Sequence, residues 1–159
     1  NPSTKVLNLS ESVYGSTSVA AIGVAAHECG HAIQHARGYF PLSLRTALVP
    51  VANIGSQLSW VFIIVGAILS FNQTFITIGI IMFSAAVLFQ LVTLPVEFNA
   101  SARALEQLES NGILYRDEVS QTRKVLSAAA LTYVAAAATA ILQLLRLIIL
   151  FGGRGRRDD

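Results

Sequence analysis

His27 and His31 stand four residues apart with Glu28 between them, in the run Val24-Ala25-Ala26-His27-Glu28-Cys29-Gly30-His31-Ala32-Ile33-Gln34-His35. On a helix this spacing puts both imidazoles on one face, with Cβ atoms about 6 Å apart, so two ring nitrogens can reach one ion at about 2.0–2.1 Å. The pattern is H-E-x-x-H, and Glu28 lies at the helix edge, where a carboxylate can take a proton from water instead of ligating. A catalytic zinc needs a third protein ligand and an open fourth position. His35 lies about 12 Å along the helix from His27, too far to share the ion. No Gly turn followed by a further histidine continues the motif. Glu97 is the better candidate, as the first charge after a long uncharged stretch, in Glu97-Phe98-Asn99-Ala100-Ser101-Ala102-Arg103-Ala104-Leu105. The competing reading is that Glu97 favours a helix N-terminus through the dipole. Cys29 lies about 100° of helix rotation from Glu28 and is expected to pack rather than ligate.

The elements that must position these groups are legible in the composition. Of 159 residues, 53% are hydrophobic and 13% charged, against about 25% charged in an ordinary soluble domain. The expected fold is mainly α, an integral membrane helical protein. One cysteine excludes a disulfide framework, and a net charge of +2 without a basic stripe argues against a nucleic-acid partner. Ser16-Thr17-Ser18 supplies N-cap candidates and Gly38 a C-cap, so the histidines are expected on a helix from about 18 to 36. No charged side chain occurs from Thr46 to Val96. A straight helix of that length would be about twice as long as a hydrocarbon core of roughly 30 Å requires, so the chain must turn back. The polar cluster Ser70-Phe71-Asn72-Gln73-Thr74 marks the turn, giving spans near 48–70 and 75–94, the second ending at Pro95.

A third span covers 125–151, rich in Ala, with Arg146 close enough to its end to snorkel. The organisation is then an active-site segment 1–46, a transmembrane hairpin 47–96, a ligand helix with a polar segment 97–124, a span 125–151 and a basic tail 152–159. The ligand helix is expected to end near Asn111-Gly112, and Arg116 to Lys124 to lead helically into the last span. Asn53, Ser56, Gln57 and Trp60 recur at helical spacing, which suggests a polar face toward the protein interior.

A hairpin returns the chain to the side it left, so 1–46 and 97–124 should share one compartment. Lys5, Arg37, Arg45, Arg103, Arg116, Arg123 and Lys124 lie there, none lies in the turn, and Arg154, Arg156 and Arg157 form the tail. The bias favours a cytoplasmic-facing site. The chain opens on Asn1-Pro2 rather than Met, so an upstream part, including another membrane segment, is expected. Lys5-Val6-Leu7-Asn8-Leu9 alternates polar and apolar and reads as a short strand, an edge on which an extended substrate could add.

The stretches Ala25 to His35 and Pro95-Val96-Glu97-Phe98-Asn99-Ala100-Ser101, with Lys5 to Ser10 upstream, resemble the bacterial membrane-bound neutral zinc metallopeptidases of the YugP type. That resemblance implies a zincin-like active-site helix and a gluzincin-like zinc peptidase of a multi-pass bacterial cell-membrane protein. His27, His31 and Glu97 would bind one Zn2+ per chain and Glu28 would be the catalytic base. Substrates would be polypeptides, membrane proteins among them, and family members have a membrane segment ahead of this chain's first residue. Related membrane gluzincins have Glu-x-x-Ala-Asp, whose Asp holds the first zinc histidine; here that position is Ser101, so Ser101 or Asn99 is the expected partner of His27. His35, Tyr39 and Arg103 are equal candidates for stabilising the transition state. An intramembrane site-2-type protease is disfavoured because no span contains Asp. The remaining alternative is a non-catalytic metal-binding membrane protein, a transporter or scaffold, which would have no need of Glu28.

Overall fold

A computed structural model describes residues 1–152, and the expected basic tail from residue 153 on, with its three arginines, lies outside the described residues. Five helices follow one another: α1 Glu11–Tyr14, α2 Val19–Ala36, α3 Phe40–Ile68, α4 Gln73–Ser110 and α5 Arg116–Phe151. Two compact units emerge, one from Asn1–Ser43 with Thr93–Tyr133, the other from Leu44–Val92 with the chain from Val134 on. Helices α3, α4 and α5 each contribute residues to both.

In the first unit α2 begins where Ser18, in extended backbone, accepts a hydrogen bond from Ala21 N through its side chain at 3.2 Å. It ends at a left-handed Gly38, whose N–H bonds to His35 O while Tyr39 N–H reaches back to Gln34 O. This closing pattern needs a residue that tolerates positive φ, and glycine does so without a Cβ penalty. Helix α4 ends the same way, with Gly112 N–H on Glu109 O and Ile113 N–H on Leu108 O. A cluster of Ala26 from α2, Ala104, Leu105 and Leu108 from α4, Leu114, and Val119 and Leu126 from α5 forms the apolar core, with Ile22 against it. Gly30 lets α2 approach α4: a Cβ there would stand 2.3 Å from the Ala100 carbonyl oxygen.

The second unit is built on glycine contacts between α3 and α4. A Cβ on Gly55 would meet Met82 O at 2.8 Å, and one on Gly79 would meet Ser59 O at 2.8 Å. Small residues let backbones approach where large apolar side chains point outward. Asn72 caps α4 by accepting from Thr74 N and Phe75 N, and Ser70 and Phe71 make the turn with positive φ. Three helices, Phe40–Ile68, Gln73–Ser110 and Arg116–Phe151, are long and apolar enough to cross a membrane.

Four expectations change. There is no strand among the described residues: Lys5 adopts φ +53° in the left-handed region, which ends an extended run, and no second strand offers a ladder for residues 6–10. Pro95 does not end the second apolar helix, which runs on to Ser110, just as Pro50 lies inside α3. A proline removes one backbone hydrogen bond, and where apolar surroundings leave the chain no better way to pair its other amides, the helix persists. Glu97 therefore lies in a helix interior, so it has no helix N-terminus to complement. Lastly, Asn53, Gln57 and Trp60 are exposed, so those positions do not form an inward polar face; the buried hydroxyl of α3 is Ser59, bonded to Ser56 O.

Candidate metal centre

The site lies within the first unit, between α2 and the part of α4 beyond Pro95. Residues 27 and 31 are one helical turn apart on α2, and their rings meet edge to face with centroids 4.7 Å apart. Continuation of α4 through Pro95 puts Glu97 and Ser101, again one turn apart, on a common face. His27 Nε2 is 3.0 Å from Glu97 Oε2 and His31 Nε2 is 3.6 Å from the same oxygen. Glu97 is 2% exposed, and both imidazoles stand against its buried carboxylate.

One ligand atom from each of His27, His31 and Glu97 lies within 4.8 Å of the other two. Ligands at about 2.0–2.2 Å from a tetrahedral zinc stand about 3.3–3.6 Å from one another, so this donor set fits the ion after small side-chain adjustments. Two imidazoles and one carboxylate are also ligands zinc favours, and three of them leave a fourth position open.

The remaining ring nitrogens are held as well. His27 Nδ1 lies 3.0 Å from Ser101 Oγ, and His31 Nδ1 lies 2.9 Å from Gln34 Oε1. Gln34 Nε2 donates to Val96 O at 2.8 Å and to Asn99 Oδ1 at 3.1 Å, and Arg103 Nε donates to the same Asn99 oxygen at 2.7 Å. The Arg103 guanidinium also stands 5.8 Å above the Tyr39 ring. Of the two expected partners for His27, Ser101 is at its ring, while Asn99 serves Gln34 and Arg103. His35 is exposed and does not join the cluster, and Cys29 is exposed on α2. Glu28 is half-buried, and no hydrogen bond or ion pair to another described residue engages its carboxylate.

Burial disfavours the His31 imidazolium, but the Glu97 carboxylate and the Gln34 amide oxygen outweigh it, so its pKa is raised above the ordinary 6.5. Gln34 was missed by the sequence reading. Its only signal is the spacing of three from His31, and nothing in composition shows that this amide is wholly buried.

The family described as "Putative neutral zinc metallopeptidase" matches residues 1–152. The chain belongs to this family. It is also 48% identical over 151 residues to "Putative membrane protease YugP" of Bacillus subtilis (strain 168), covering 95% of this chain and 67% of the relative. No solved structure matches the chain. Zinc is the metal that this neutral zinc metallopeptidase family implies, and the two histidines and Glu97 are a donor set that fits it.

Proposed function

We propose that this chain is a membrane-embedded zinc peptidase in which His27, His31 and Glu97 hold one metal ion and Glu28 is the general base. The observation that carries this reading is the convergence of the three ligand atoms within 4.8 Å, with the half-buried Glu28 carboxylate one residue from the first ligand. When bound in such a three-ligand site, zinc lowers the pKa of water toward roughly 7 and polarises a carbonyl.

The chain's own residues supply the rest. Glu28 accepts the proton of the attacking water and later passes it to the leaving amine. Ser101 Oγ accepts the Nδ1 hydrogen of His27, which turns the Nε2 lone pair of that ring toward Glu97 and the metal. A serine does this without the charge of the aspartate in related membrane gluzincins, so the first histidine is held by geometry more than by field. Substrates are polypeptides, including membrane proteins, and the polar segments 1–46 and 97–124 face the cytoplasm, with the apolar stretches of α3, α4 and α5 outside those segments as spans.

The test is Glu28→Gln. The amide is nearly isosteric and not a ligand, so zinc should stay while proteolysis falls by about 10²–10⁴-fold. The readouts are zinc content and differences in membrane-proteome fragments between wild type and variant. Turnover near wild type with zinc retained would remove Glu28 from the chemistry.

A further inference from the structure

Gln34 is wholly buried, and a buried amide is costly unless its donors and acceptor are engaged. Each of its contacts constrains the next. Arg103 Nε can only donate, so the Asn99 atom it meets at 2.7 Å is the oxygen. That oxygen and the Val96 carbonyl can only accept, so both must face Gln34 Nε2, at 3.1 and 2.8 Å. Gln34 then cannot flip, and Oε1 is the atom turned to His31 Nδ1 at 2.9 Å. An amide oxygen only accepts, so a hydrogen sits on Nδ1 of His31, and in the neutral ring the lone pair is on Nε2, the atom 3.6 Å from Glu97 Oε2. In the neutral ring two acceptors then face each other across that gap, an arrangement that a proton or a metal cation between them satisfies.

We propose that Gln34 is a positioning residue for the metal: it fixes the ring orientation and the protonated nitrogen of His31, and Asn99 and Arg103 hold Gln34 in the one orientation that does so. This rests on the zinc site proposed above. His27 and His31 are thus held differently, the first by a rotatable hydroxyl from α4, the second by a locked amide from its own helix anchored on α4.

Zinc affinity by competition with a chromogenic chelator, and the visible spectrum of the cobalt-substituted full chain, test the assignment in detergent. Gln34→Met removes every polar arm and should weaken zinc by about 10–100-fold and alter the cobalt spectrum. Gln34→Glu keeps an acceptor for His31 Nδ1 but loses the donors to Val96 and Asn99, and should lose clearly less zinc affinity than Gln34→Met. Arg103→Leu, on a half-buried side chain, should fold even where Gln34→Met does not, and should weaken zinc in the same direction by less. If Gln34→Glu loses as much affinity as Gln34→Met, the residue merely ties α2 to α4 and the positioning role is overturned. Gln34→Met with wild-type affinity and spectrum, or Arg103→Leu without effect, would overturn it too. A wild type that takes up no stoichiometric zinc would defeat the metal site itself, before any variant is compared.

Discussion

The two units of this chain solve opposite packing problems. Around the histidines, the buried set includes Gln34, Glu97 and Thr122, and small residues such as Ala26, Ala100 and Ala104 bring the helices close. In the other unit many large apolar residues point outward, with Ile81 65% exposed, Leu142 66% and Ile149 77%, around a few buried ones such as Ile63 and Ile76. Its contacts run through Gly55, Gly66 and Gly79. A surface this apolar would be an association hazard in water but is ordinary in lipid, where the solvent is as apolar as leucine. The lesson is that a chain can carry a surface this apolar on one unit while the polar groups of its candidate site are confined to the unit whose interior pairs them.

The sharpest break between the units is metal. His27→Ala combined with His31→Ala should take zinc from one ion per chain to none, by metal analysis of purified protein, with the apolar unit unaffected. Stoichiometric zinc in that variant would put the metal elsewhere. Glu97→Ala should cost zinc as well; full retention would point to another third ligand.

Next comes the same substitution at similar exposure in the two regions. Ile81→Arg in the middle of the apolar part of α4 should cost about 2.5–3.5 kcal/mol in membrane insertion, whereas Ile113→Arg, in the turn before α5, should fall within about 0.5 kcal/mol. Insertion yield and thermal stability measure the pair, and equal costs would mean that Ile81 does not face lipid.

Glycine replacements sharpen the contrast further. Gly30→Ala drives a Cβ to 2.3 Å from the Ala100 carbonyl and should cost about 1–3 kcal/mol, together with zinc affinity, because α2 must move off α4. Gly79→Ala crowds Ser59 O at 2.8 Å and should lower stability while the folded fraction binds zinc as wild type does.

The smallest effect is on pH. With the pKa of His31 raised above 6.5, protons compete with zinc at a higher pH than for an ordinary imidazole, and apparent affinity should fall by about tenfold per unit below that raised value. Metal-free protein should respond in the opposite sense. The raised pKa contributes stability that is complete below about 6.5 and is lost as pH rises through the folded value, so mild acid should firm the apo site while emptying it of zinc. Zinc titrations and apo melting curves between pH 6 and 8 check both signs; a zinc affinity flat across that window would mean that His31 holds no metal.

Local patterns determined much of this without any fold. The spacing of His27 and His31, the cap at Ser18, the turn at Ser70 to Thr74 and the uncharged run from Thr46 to Val96 are properties of neighbouring residues, set by helical period and by the cost of charge in apolar surroundings. Other features were decided by tertiary structure. Whether Pro95 ends a helix depends on what surrounds the orphaned carbonyl, and whether Lys5 to Leu9 is a strand depends on a partner that the described residues do not supply. Which polar group meets which ring depends on the closeness of α2 and α4 at Gly30. Gln34 is the clearest case: in the sequence it is one more amide on an amphipathic helix, and only burial between two helices, with every hydrogen assigned by its neighbours, makes its oxygen the atom that turns His31.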